Sequence, residues 1–127
     1  MQYVRAEAVV DIDASADTTA FTMEAPRAGK LLLNQSWCRI EEAIDNPTSA
    51  GVASIEVGGT EYGTVTVVDN DIIGDSYTIT EATAVGDDHA VPFSAGDDIE
   101  CITKTAGTGG TGGGTLRFYL AIEWADV

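Results

Sequence analysis

The stretch Thr115–Trp124, TLRFYLAIEW, constrains the fold more than any other part of the chain. Leu116, Phe118, Leu120, Ile122 and Trp124 fall on one parity, and Arg117, Tyr119, Ala121 and Glu123 on the other. Side chains alternate across a strand with a period of two, so this pattern predicts a strand with one buried face. A helix would need apolar residues at i, i+3, i+4 and i+7, and that spacing is absent. The same alternation decides the meaning of the glycine run just before it. Gly107, Gly109 and Gly112 satisfy G-x-G-x-x-G, but a dinucleotide site requires a helix after the glycines and an acidic residue further on. A P-loop would require a Lys-Ser or Lys-Thr pair. No helical pattern and no such lysine pair follow, so Gly107 to Gly114 is expected to be a mobile loop between strands that holds no phosphate.

Strand signals recur through the rest of the sequence. Ala6, Ala8, Val10 and Ile12 alternate with Arg5, Glu7, Val9 and Asp11, and TTAFTMEAP predicts a second strand closed by Pro26. AGKLLLNQSWCRIEEA reads as one long third strand. Both of its parities carry bulk, which predicts cover on both faces at one end. IEEAIDNPTSAG contains Asn46-Pro47 and Gly51 and reads as a loop. VASIEVGGTEYGTVTVVD reads as a hairpin turning at Gly58 and Gly59, a pair suited to a tight primed turn. DSYTIT, HAVPFS and DIECITK supply further strands. Eight to nine short strands without crossover helices indicate one all-β domain, 1–127, an antiparallel jelly-roll-like β-sandwich of about eight strands. Trp37 immediately precedes Cys38, so the Cys…Trp…Cys order of antibody domains is missing.

The chain has 127 residues, 21 acidic and 6 basic, for a net charge of −15. So acidic a surface repels phosphate backbones and anionic lipids, which argues against nucleic-acid and membrane partners. No stretch approaches the roughly 20 apolar residues that span a bilayer. MQYVRAEAVVDID has neither the basic nor the apolar segment of a secretory signal, so folding in the cytoplasm is expected. Cys38 and Cys101 each lie in a predicted strand; buried thiols are the default there, with pairing across strands left open.

Candidate chemistry is sparse. The one histidine, His89, adjoins Asp87 and Asp88, whose charge favours the imidazolium. No partner for acid–base work is evident around it, so it reads as a solvated loop residue, and one histidine cannot furnish a cupin metal site. No serine sits in a G-x-S-x-G elbow. Asp69, Asp71, Gly74 and Asp75 match part of a calcium loop, but Ile73 and Thr80 occupy ligand positions, so DNDIIGD reads as an acidic turn. Asp87-Asp88 and Asp97-Asp98 read as solvated turn residues guarding strand edges. The expectation is a non-enzyme with no catalytic, cofactor-binding or metal-binding residues and no cofactor.

AGDDIECITKTAGTGGTGGGTLRFYLAIEW, together with EAPRAGKLLLNQSW and ASIEVGGTEYGTVTV, resembles the small head decoration, or cement, proteins of tailed phages. The likeness is one of strand and turn pattern and runs from about Phe21 to Trp124. It implies a structural protein on the outer capsid surface, bound to the major capsid protein, working as a homotrimer and assembled in the host cytoplasm. Some relatives grip the shell with a long extended arm. Here strand pattern begins by Tyr3, so contact through loops or a sheet face is expected. The alternative is a carbohydrate- or receptor-binding module of a viral fibre or base plate. That reading predicts clustered exposed aromatics, with Tyr119 the most suggestive because it lies opposite the buried face of the last strand.

Overall fold

A computed structural model describes residues 2–12, 17–42, 51–67, 74–105 and 114–125. They form an all-β antiparallel sandwich of the jelly-roll-like kind expected, whose chain passes repeatedly from one sheet to the other. The strands are β1 Gln2–Asp11, β2 Thr18–Glu24, β3 Gly29–Leu32, β4 Trp37–Glu42, β5 Gly51–Val57, β6 Thr60–Val67, β7 Ser76–Thr78, β8 Thr80–Glu81, β9 Ala90–Phe93, β10 Asp98–Thr105 and β11 Thr115–Trp124. Sheet A runs β7-β4-β11-β3-β9 with β1 also on β11; sheet B runs β2-β10-β5-β6-β8.

Among the described residues eleven strands replace the eight to nine expected because two predicted strands are each cut in two. The predicted long third strand is broken by a 3₁₀ turn, Leu33–Gln35, which separates β3 from β4. Both pieces pair with the same edge of β11. Leu31 opposes Ile122 and Trp37 opposes Tyr119, so six steps along one strand match three along the other. The turn absorbs the excess and reverses which parity faces the core: Leu31 points inward, whereas Trp37 points outward and Cys38 inward. Ser36 secures the turn. Its hydroxyl donates to the Leu32 carbonyl at 2.8 Å and accepts the Ala121 amide at 3.0 Å. The expected cover on both faces is present at this end. Leu31 and Leu33 join the main core, while Leu32 packs with Ala90 and Ala121 on the opposite side. In DSYTIT the break falls at Ile79, with β7 in sheet A and β8 in sheet B.

The β5–β6 hairpin turns at Gly58 and Gly59, with φ of 59° and 83°. Two positive values are what a type I′ turn requires. In β11 the whole predicted buried parity, Leu116 to Trp124, lies in the core. Phe118, Leu120 and Ile122 meet Ile55, Ile99 and Val67 from sheet B in one continuous cluster. One end of the sandwich is closed by Trp124, which meets Phe93 edge-on with centroids 5.6 Å apart, and by the Arg27 guanidinium 5.8 Å from the Trp124 ring centre. All but Gly114 of the predicted loop Gly107 to Gly114, and the segment 43–50, lie outside the described residues. Asp98, expected in a turn, opens β10, and the Asp97 carboxylate accepts the Ser94 amide at 2.8 Å in the turn before it.

Gly29 marks a close approach to backbone. A Cβ there would lie 2.6 Å from the Glu123 carbonyl oxygen and 2.9 Å from the Phe93 ring. Gly29→Ala must therefore displace backbone in the β3–β11 ladder, and overpacking of this kind costs about 1–3 kcal/mol. The expected outcome is a clear fall in the thermal midpoint, read by circular dichroism; an unchanged midpoint would contradict this packing.

Candidate functional site

Three places in the structure bring functional side chains together. In the first, a cleft of ≈ 290 Å³ lined by Leu33, Asn34, Ser36, Thr78, Ile79, Glu81 and His89 opens where the edges of the two sheets meet. His89 precedes β9 in sheet A and Glu81 ends β8 in sheet B, and the His89 Nδ1 is bonded to the Glu81 carboxylate. The pair closes the intervening turn and ties the sheets at their margin. His89 has φ of 52°, a left-handed conformation uncommon for a residue with a Cβ. Its carbonyl accepts the Leu33 amide at 3.0 Å, which helps hold it there. Its pKa is raised above the ordinary value by the hydrogen bond to Glu81 first and by the charge of Glu81 next; Asp87 and Asp88 add smaller contributions. Sequence reasoning invoked only Asp87 and Asp88. Glu81 was not legible, because it is eight positions away and comes from the other sheet.

An imidazolium held by a carboxylate can donate a hydrogen bond or a proton. Of the two hydroxyls that line the same cleft, Ser36 and Thr78, that of Ser36 is already spent on Leu32 and Ala121.

The second place is the outer face of sheet A. Trp37 of β4 and Tyr119 of β11 are direct cross-strand partners, stacked with centroids 4.3 Å apart and planes at 22°. Both rings are half-buried. The sequence signalled Tyr119, but Trp37 comes beside it only because the 3₁₀ turn reverses the parity of β4. Arg5, Lys30, Arg39 and Arg117 share this face with Glu7, Asp11, Glu41 and Glu123, so the charges named on its strands balance, and Asp88, from the turn before β9, pairs with Lys30 at its margin at 3.9 Å. The Arg117 Nε donates to Glu41 at 3.0 Å. Val9, 44% exposed, lies beside Arg117 on the neighbouring strand.

The third place is the outer face of sheet B, and it is acidic. Glu24 opposes Asp98, Glu100 opposes Glu56, and Glu56 opposes Glu61. Like charges set directly across a ladder destabilise it. Lys104 partly offsets them. Its pKa is raised by the hydrogen bond and charge of Asp17, 3.3 Å away, and further by Glu61 and Glu56.

The remaining candidates do not assemble. Asp69 and Asp71 lie outside the described residues, Asp75 is exposed, and among the described residues no three His, Cys, Asp or Glu side chains cluster as metal ligands. Cys38 and Cys101 are free thiols, fully buried and contributed by opposite sheets. Burial pushes both up to about 12, with a backbone hydrogen bond to Tyr77 opposing it at Cys38 and the proximity of Cys38 adding to it at Cys101. Thiols in that state are unreactive. No family model matches this chain, and no curated protein matches it.

Two outcomes follow. The His89–Glu81 link has a raised imidazole pKa, so its contribution to stability is fully present below the ordinary histidine value of about 6.5 and is lost as pH rises through the folded-state value. An NMR titration of the single imidazole should give a midpoint above 6.5 that Glu81→Gln returns toward it; equal midpoints in the two proteins would remove the link. Both cysteines should resist a thiol-labelling reagent in the native protein and react on unfolding, and rapid native labelling would contradict their burial.

Proposed function

We propose that this chain is a non-catalytic structural protein of a virion, one that decorates and stabilises the outer surface of a phage capsid. The observation that carries the reading is the asymmetry between the two sheet faces. In a chain of net charge −15, repulsion opposes packing many copies side by side. The outer face of sheet A escapes this by balancing its charges around Trp37, Tyr119 and Val9. Aromatic residues and arginine are enriched at protein interfaces. The outer face of sheet B, with its opposed carboxylates, suits solvent. Sheet A would thus dock on the major capsid protein while sheet B faces outward and keeps decorated particles apart. Binding at many equivalent positions allows each contact to be weak, and more so if the working form is a homotrimer.

A second reading, a carbohydrate- or receptor-binding module of a viral fibre or base plate, draws support from the same Trp37–Tyr119 pair. Aromatic rings combine apolar area with polar tips, which suits glycan and protein partners alike. The stacking counts against glycans, because each ring already spends one face on the other.

Co-sedimentation with empty shells built from the major capsid protein of the same phage separates the readings. Saturable binding is expected, and the paired change Lys30→Glu with Arg39→Glu should weaken it at least about tenfold by making the docking face acidic. Glu56→Lys on the other face should leave it intact. Absence of shell binding together with a specific hit on a glycan array would favour the second reading. Light scattering that gives three times the 13.2 kDa chain mass would support a trimer.

A further inference from the structure

Edges of a sheet carry unpaired backbone N–H and C=O groups, and proteins normally blunt them with short strands, proline or bulges. Most edges here follow that rule. β7 has three residues, β8 two, and β9 four with the exposed Pro92 among them. β2 is longer, but its pairing with β10 is interrupted by a register shift. β1 is different. It is ten residues long, pairs among the described residues with β11 alone and without any register shift, and contains no proline.

Which groups face outward from β1 can be read from its C-terminal end. Ile12 donates its amide to Gly114, on the β11 side, while the Asp11 carbonyl accepts Thr103 Oγ from sheet B, on the other. Alternate residues of an antiparallel strand direct both backbone groups to alternate sides. The odd residues Arg5, Glu7 and Val9 therefore present their N–H and C=O at the free edge. Their side chains also share one face, the outer face of sheet A, and all three are exposed.

We propose that this edge pairs with β1 of a second copy of the chain, antiparallel about a two-fold axis at Ala6. In that register Arg5 of each copy stands opposite Glu7 of the other, and these two residues exchange backbone hydrogen bonds. Among the described residues neither Arg5 nor Glu7 has an ion-pair partner within its own chain. Charge selects the register. Sliding one pleat either way sets Glu7 against Glu7 or Arg5 against Arg5, which is unfavourable. A slip of a single residue would put the outer face of one copy against the inner face of the other. A larger slide shortens the paired length, and toward the C-terminal end of β1 it draws in Asp11, whose carbonyl is already bound to Thr103. The pairing places Val4, 45% exposed, across from Ala8 of the second copy. This contact is two-fold, requires only β1 and does not depend on the shell-binding reading.

Charge reversal tests it in the intact chain. By sedimentation velocity at physiological ionic strength, where repulsion beyond about 8 Å is largely screened, from about 1 μM to about 1 mM, a range that spans weak protein contacts, the mass of the wild-type unit is expected to double. Arg5→Glu alone, or Glu7→Arg alone, sets like charges across the axis twice and should raise the dissociation constant at least about tenfold. The double exchange Arg5→Glu with Glu7→Arg restores unlike pairs and should recover wild-type association. Recovery excludes misfolding as the cause of the single-variant losses. A mass that stays constant over the whole range, or association indifferent to the single reversals, or loss without recovery in the double exchange, would overturn the proposal.

Discussion

The backbone pairing of β11 organises this molecule. Its full length is paired on one side with β1, and on the other with β3 and then β4. A strand held on both edges has no freedom of register, so its alternation fixes which side chains fill the interior: Leu116, Phe118, Leu120, Ile122 and Trp124. Sheet B then has to cover that face. Ile55, Ile99 and Val67 do so, and burial of such residues contributes on the order of 1.5–3 kcal/mol each. The 3₁₀ turn is a consequence of the same constraint. β3 and β4 must share one edge of β11, and the surplus residues between them are taken up by Leu33–Gln35 under the control of Ser36.

That local adjustment has an effect at the surface. By reversing the parity of β4 it turns Trp37 outward, next to Tyr119, and puts the Cys38 thiol in the core. The aromatic pair therefore depends on the register of an interior strand. The balanced face it sits on stands out against the acidity of the whole, and the opposed carboxylates of sheet B accentuate the contrast. At physiological salt, charges more than about 8 Å apart are largely screened. The immediate composition of a face, more than the net charge, thus governs what can approach it closely.

The His89–Glu81 link and the β1 edge illustrate two kinds of surface constraint. The link joins the margins of the two sheets through a residue in a left-handed conformation, and its strength follows the protonation of one imidazole. The edge of β1, by contrast, has its backbone groups aligned and its side chains balanced, with Arg5 and Glu7 two positions apart. At any even spacing a strand complements its own charge about a two-fold axis, and two is the shortest.

Much of the fold was legible in the sequence because a strand's period is local. The alternation in β1 and β11 and the Gly58-Gly59 turn each depend on residues a few positions apart, and each appears in the structure where the pattern placed it. The sandwich itself followed from strand number and the lack of helices. What the sequence could not disclose were relations between distant segments. The break in β3–β4 depends on sharing an edge with β11, about eighty residues on, and no local signal marks it because LLLNQSW has the apolar density of an uninterrupted strand. The pairing of Glu81 with His89, the stacking of Trp37 on Tyr119 and the placing of Cys38 and Cys101 in opposite sheets all depend on which strands become neighbours. Sequence by itself determined which faces of the strands are apolar, since that is a matter of covalent order and side-chain alternation. Tertiary structure decided which of those faces meet, because ladder register and sheet-to-sheet packing are properties of the assembled backbone.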